Sequence, residues 1–270
     1  PTAALCCGRP LFDYGMLDTA RRMLTRVLDE LRPQIRAGTR LVGLEPSCVA
    51  VFRDELSNLF PHDQDAQRLA RQSLSLVEFL KSEAHEFKLP KLEGRPALFH
   101  GHCHQKALWG TEAEVGALRG LGLEVATPDS GCCGLAGSFG YEAGEKAEVA
   151  DRAGERVLAP AVRAASDETL IVADGFSCRS QVEHLTQRRA LHSAEVLHLA
   201  LHHGSLPPEG RPEERYRRSL GRPPEGAPVG ALSAVAVGAV ALGAVLALGR
   251  RRRGDRAGRA SPLRFGQTRG

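Results

Sequence analysis

Apolar residues recur at intervals of three and four over residues 16–31, at Leu17, Ala20, Met23, Leu24, Val27, Leu28 and Leu31, with charged positions between them. That period predicts a helix with one buried face. Short apolar runs at 40–44, 97–99, 123–126 and 170–173 predict buried strands. A second long helical stretch covers 142–164, with Pro160 as its expected break, and short helices are expected over 181–186 and 194–201. Strands alternating with helices predict an α/β fold, with parallel sheets and helices packed on their faces.

The pattern also repeats. "CCGRPLFDYG" from Cys6 is similar to "CCGLAGSFGYEAG" from Cys132, and "RLVGLEPSC", ending at Cys48, is similar to "TLIVADGFSC", ending at Cys178. The gap from the cysteine pair to the later cysteine is 40 residues in the first copy and 44 in the second. Downstream, "SLSLVEFLKSEAH" is similar to "LHSAEVLHLALHH". Two tandem, related cysteine-rich α/β repeats are therefore expected, over 1–91 and 92–206. The second has an upstream cysteine, Cys103 in "HGHCHQKAL"; its counterpart in the first would precede Pro1. The first repeat is thus expected to be truncated, and the chain to be a fragment of a longer polypeptide. Each cysteine stands where a predicted strand ends or a helix is about to begin, at the carboxyl edge where open α/β sheets build their sites.

Charge changes the picture little. The net charge of +4 comes from residues 250–270, whose eight Arg and one Asp contribute +7, so the rest of the chain is near −3. No basic stripe points to nucleic acid. Seven cysteines is an odd number in a chain of 270 residues, 42% of them hydrophobic, and fits reduced thiols used for metal or redox chemistry better than a disulfide scaffold.

Cys103, Cys132, Cys133 and Cys178 come from three separate strand ends, so a fold that gathers those ends gathers four soft thiolate ligands. Structural zinc sites usually take cysteines two to four residues apart; adjacent cysteines diverge and suit a larger iron–sulfur core better. The glycines after the pair (Gly134, Gly137, Gly140) permit tight turns, and their N–H groups, with the N-terminus of a helix near Glu142, would stabilise a negative cluster. His100, His102 and His104 share one face of an expected strand, which keeps zinc in one repeat as an alternative; the favoured reading is hydrogen-bond partners of cluster sulfurs or plain polar residues. Glu45 and Asp174 read as caps or loop formers, and Lys106 as a counter-charge or a solvated side chain. A disulfide between neighbouring cysteines would close a strained ring.

Residues 229–249 carry no charge over 21 positions, enough to span a bilayer. A C-terminal transmembrane helix is expected there, between a Pro/Arg/Glu-rich linker at 207–228 and an Arg-rich disordered tail at 250–270. The positive-inside rule puts that tail in the cytoplasm. Iron–sulfur chemistry wants the preceding domain there too, so either Arg215, Arg217, Arg218 and Arg222 hold it inside, or the segment lies on the membrane surface, or it is not a true span.

The motifs "HCHQKAL", "GCCGLAGSFGYE" and "DGFSCRSQ" resemble the cysteine-rich CCG domain found in the B chain of heterodisulfide reductase, in glycolate oxidase iron–sulfur subunits and in the C chain of anaerobic glycerol-3-phosphate dehydrogenase. The resemblance runs from Cys6 to about Leu201. It is closer to the C-terminal part of fused FAD-linked oxidase/iron–sulfur proteins that use D-lactate, glycolate or D-2-hydroxyglutarate. It implies an iron–sulfur cluster, of the 4Fe-4S type, on Cys103, Cys132, Cys133 and Cys178, with Cys6, Cys7 and Cys48 as the partial set of the first repeat. It also implies FAD in an upstream domain or partner subunit, and electrons passed to membrane quinone or another acceptor. The module would lie on the cytoplasmic side of the membrane, and no residue here would act as acid or base on the substrate. The fullest form of the motif ends in Cys-x-x-Cys, but Glu45 and Gly175 stand at the first of those positions. Heterodisulfide reductase uses five cysteines per noncubane cluster and this chain offers at most four, so a thiol/disulfide redox subunit is the second reading. A zinc-stabilised interaction module is the third.

Overall fold

The structure is a computed structural model and describes residues 4–84, 86–92, 94–203 and 210–219. Helix α1 (Arg9–Asp13) follows the first cysteine pair, and α2 (Leu17–Arg36) buries Ala20, Leu24, Val27, Leu28 and Ile35 along one side. The helix runs past its predicted end, through Pro33. Its last turn is held from outside, because Ile35 enters the core and Arg32 and Arg36 both pair with the buried Asp65. β1 (Leu41–Gly43) feeds α3 (Pro46–Ala50), which continues through a π turn into α4 (Leu56–Leu59). α5 (Gln64–Gln72) leads into β2 (Ser73–Ser75), which pairs in parallel with β1, Leu41 opposite Ser73. α6 (Leu76–Ser82) opens with a capping box between Ser75 and Glu78.

In the second half, β3 (Pro96–Phe99), α7 (Cys103–Leu108), α8 (Glu112–Gly120) and β4 (Glu124–Ala126) precede α9 (Glu145–Glu155), α10 (Leu158–Ala164), β5 (Leu170–Val172), α11 (Phe176–Thr186) and α12 (Ser193–His203). Its three strands form a parallel sheet in the order β4-β3-β5. On one face Ala97, Phe99, Leu170 and Val172 pack with Leu118, Leu121, Val196 and Leu199. On the other, Leu98 and Ile171 pack with Ala150, Leu158, Val162 and Val182. Burial on both faces is what a parallel sheet requires. A third cluster joins α2 to Val51, Phe52, Leu56 and Leu69, and includes Cys7. The described residues up to Tyr216 form one compact unit.

Four strands fall where the apolar runs predict them. β2 is not among them, because a run with two serines carries no apolar signal; parallel pairing to β1 makes it a strand. The stretch 142–164 is not one helix broken at Pro160. The break comes earlier, between Glu155 and Leu158, and Pro160 sits in the first turn of α10, where a missing N–H costs nothing. Part of the expected linker is helical: α13 (Pro212–Ser219) is tied down by a buried Arg188–Glu213 ion pair and by Tyr216 in the core. The expected transmembrane segment at 229–249 and the tail at 250–270 lie outside the described residues. Among the described residues no helix is long and apolar enough to cross a membrane.

The two halves meet through Leu76, Leu80 and Leu89, which pack against the second core, and through a set of polar contacts. Ser75 donates to Glu114 at 2.9 Å, His192 Nε2 meets the carbonyl of Leu44 at 2.6 Å, and Tyr14 donates to Glu142 at 2.6 Å. The Arg53 guanidinium lies 4.6 Å from the centroid of the Trp109 ring. Glu114 is almost fully buried, and burial pushes its carboxyl up to about 7, with Asp174 and Glu78 adding repulsion and the Ser75 hydroxyl opposing. The folded protein therefore holds a proton on Glu114 that the unfolded chain releases above its ordinary value of 4.5. This contribution is full below that value and is lost as pH rises towards 7. A shift of this size corresponds to about 3 kcal/mol. Thermal unfolding of wild type and Glu114→Gln between pH 5 and 8 should show the wild type losing stability relative to the variant as pH rises; parallel curves would contradict this.

Candidate metal centre

All three strands of the second sheet deliver cysteines at their carboxyl ends. Cys103 opens α7 just after β3, Cys132 and Cys133 lie in the loop after β4, and Cys178 sits in the first turn of α11 after β5. The sulfurs form a contact chain: Cys132 meets Cys103 and Cys133, and Cys133 meets Cys178. The thiols of Cys103 and Cys133 point at the Cys132 sulfur and hold it far below the usual thiol range. The N–H of Gly134 adds to this, 3.3 Å from that sulfur. Cys103 and Cys133 are pushed up in turn by the same contacts and by burial. Cys178 is drawn down to about 6, by the Cys133 thiol first and then by His100. Four thiolates this close repel one another, so protons are shared among them; a multiply charged metal core would take the place of those protons.

Local backbone geometry makes the crowding possible. Gly134 has φ +102°, and a Cβ there would lie 2.0 Å from the carbonyl oxygen of Ala150, so the cysteine loop rests directly on α9. The backbone donor on the Cys132 sulfur comes from this loop; the next helix starts only at Glu145, later than expected. At Gly175 a Cβ would lie 2.4 Å from the His102 ring and 3.2 Å from the Cys178 sulfur. The space beside Cys178 is filled by His102, and no fifth thiol fits at that position without displacing the ring.

The histidines do not share a strand face as expected, because β3 ends at Phe99. His100 follows the strand, buried, with Nδ1 2.7 Å from the Ser130 hydroxyl. His102 is the N-cap of α7 and accepts the His104 N–H on Nδ1 at 3.2 Å. Burial lowers His102 to about 4, so its ring is neutral. His102, Cys103 and His104 each present a ligand atom within 4.8 Å of the others, which keeps a mixed nitrogen–sulfur ion site chemically feasible. Asp174 accepts the Ser193 N–H at 2.7 Å and Glu45 caps α3, so both act as caps. Lys106 donates to the carbonyl of Gly131, in the cysteine loop.

In the first half, the Cys7 and Cys48 sulfurs are 3.0 Å apart, and Cys6, exposed, receives the Gly8 N–H at 3.5 Å. The Cys48 thiol brings Cys7 down to about 7, while Cys48 is pushed up and keeps the proton. An apolar cavity of about 590 Å³ adjoins these three cysteines, lined by Leu5, Val27, Ile35 and Phe52 among others. A smaller cavity of about 180 Å³ brings Arg9, Asp13 and Ser47 of the first half against Cys103, Cys132 and Cys133 of the second. Arg9 is a site residue that sequence reasoning missed; it pairs with Asp13 and Glu55, and its only signal was its place just after the first cysteine pair.

Four soft donors, backbone N–H groups aimed at sulfur and burial fit an iron–sulfur cluster on Cys103, Cys132, Cys133 and Cys178. Residues 98–183 match the family model of the CCG cysteine-rich domain. The chain is 29% identical over 192 residues to D-2-hydroxyglutarate dehydrogenase of Pseudomonas putida, covering 70% of this chain and 18% of the relative. It is 27% identical over 201 residues to the C chain of anaerobic glycerol-3-phosphate dehydrogenase of Escherichia coli, covering 73% and 49%. It is 26% identical over 210 residues to lactate utilization protein A of Bacillus velezensis, covering 73% and 84%. The chain thus spans less than half the length of each of the first two.

Because the carbonyl of Ala150 is backbone and cannot turn aside, Gly134→Ala should destabilise the fold by about 1–3 kcal/mol and displace the Cys132–Cys133 loop. Thermal unfolding and bound-metal analysis of that variant check it; a wild-type melting temperature with full metal would contradict it.

Proposed function

We propose that this chain is the iron–sulfur electron-transfer part of an FAD-linked dehydrogenase acting on a 2-hydroxy acid of the D-lactate, glycolate or D-2-hydroxyglutarate type. The observation that carries the reading is the chain of contacts that links four cysteine sulfurs following three strand ends. The names of the relatives, dehydrogenases or a lactate-utilisation protein, support it. A bound cluster, of the 4Fe-4S type, would supply one-electron transfer. This chain's own residues supply the rest. The cysteines ligate, the Gly134 N–H and the His100 imidazole stabilise sulfur charge, and burial of Cys133 and Cys178 excludes water. FAD in an upstream domain or partner subunit would oxidise the substrate, and membrane quinone would accept the electrons at the cytoplasmic face.

A second reading, zinc in one repeat, is favoured only by the closeness of His102, Cys103 and His104. A thiol/disulfide subunit with a five-cysteine cluster has against it the His102 ring that fills the space beside Gly175.

Iron, acid-labile sulfide and zinc per chain, measured on protein purified without oxygen, test the proposal. About four irons and four sulfides per occupied site are expected, with the loss of one site's worth in Cys132→Ser. Zinc without sulfide, or no metal, would overturn it.

A further inference from the structure

Glu45 does more than cap its own helix. Its Oε1 accepts the Ser47 N–H at 3.3 Å and the Ser47 hydroxyl at 2.9 Å, closing the start of α3, which carries Cys48. Its Oε2 accepts the N–H of Phe176 at 2.8 Å, from a residue 131 positions away. Phe176 is the first residue of α11, which carries Cys178, and the N-cap of that helix is Gly175, with no side chain to offer. A side chain is excluded at Gly175 because the His102 ring occupies the space. A single carboxylate from the first half therefore closes the N-termini of both helices that bring the last cysteine to their sulfur groups.

We propose that Glu45 is a positioning residue shared by the two cysteine groups, fixing the helices of Cys48 and Cys178 against each other and placing a negative charge between the two sites. The inference rests on the iron–sulfur reading for its redox consequence, but not for its structural one. Two observations bear on it. The carboxylate bridges the two halves rather than lying free on the surface. Finally, Glu45 and Gly175 hold corresponding places in "EPSC" and "GFSC", so the side chain missing from one copy is replaced by the carboxylate of the other. An electron arriving beside a fixed negative charge is less stable, so Glu45 should hold the reduction potential of the Cys178 site down.

The test uses the full-length protein with Glu45→Gln and Glu45→Ala, read by amide exchange and by potentiometric titration. Glu45→Gln keeps the shape and one acceptor oxygen but removes the charge; Glu45→Ala removes both. Amide exchange at Phe176 should be about tenfold faster in Glu45→Ala, the loss expected for a removed cap, and should change less in Glu45→Gln. The reduction potential of the site should rise in both variants, with iron content in Glu45→Gln unchanged. Wild-type exchange at Phe176 in Glu45→Ala, or an unshifted potential in an iron-loaded Glu45→Gln, would overturn the proposal. Absence of iron in the wild type would instead overturn the iron–sulfur reading and leave the amide-exchange result to decide the role of Glu45.

Discussion

The constraint on which the rest of this structure depends is the repulsion among four cysteine sulfurs brought into contact. Bringing Cys103, Cys132, Cys133 and Cys178 together costs free energy in either protonation state. As thiolates they repel, and as thiols the buried pair, Cys133 and Cys178, have little to bond but their neighbours. The surroundings answer that cost. Three parallel strands end at one edge, so the sulfurs arrive from three supports, Cys132 and Cys133 sharing the loop after β4. Gly134 lets the loop lie on the backbone of α9 and turns an N–H towards the Cys132 sulfur. His100 stands beside Cys178 and is fixed by Ser130. Such a site is arranged for a ligand that brings positive charge and several atoms.

The same constraint explains the seam. A helix start that presents a cysteine leaves backbone N–H groups needing acceptors, and α11 cannot supply its own because a side chain at Gly175 would strike His102. Glu45 comes across from the first half to meet that need. Glu114, Tyr14 and His192 add polar contacts along the same boundary, beside the apolar packing of Leu76, Leu80 and Leu89 on the second core, so directional bonds help to hold the two cysteine-bearing halves. Directional contacts keep a fixed spacing between the two sulfur groups, which electron transfer between them would require.

Much of this was legible in the sequence, and for identifiable reasons. The apolar runs at 97–99 and 170–173 mark strands buried on both faces, a signal carried by local composition. The cysteine spacing then places the thiols at strand ends, which is where they lie. What stayed hidden depends on tertiary contact. β2 is a strand only because β1 lies beside it. His102 is a cap because β3 stops at Phe99, which the pattern "HGHCH" does not show. α13 forms within a polar stretch because Arg188 awaits Glu213 in a buried place. The partner of Glu45 lies 131 residues away, beyond any local pattern.

The central claim is that these four sulfurs hold one iron–sulfur cluster. The most direct measurement is anomalous diffraction from crystals of the full-length protein grown without oxygen, with data on either side of the iron and zinc absorption edges. The account predicts iron density enclosed by the sulfurs of Cys103, Cys132, Cys133 and Cys178, with no zinc signal there. A lone zinc bound by Cys103 and the flanking histidines, or a metal-free site with Cys132 and Cys133 joined as a disulfide, would contradict it.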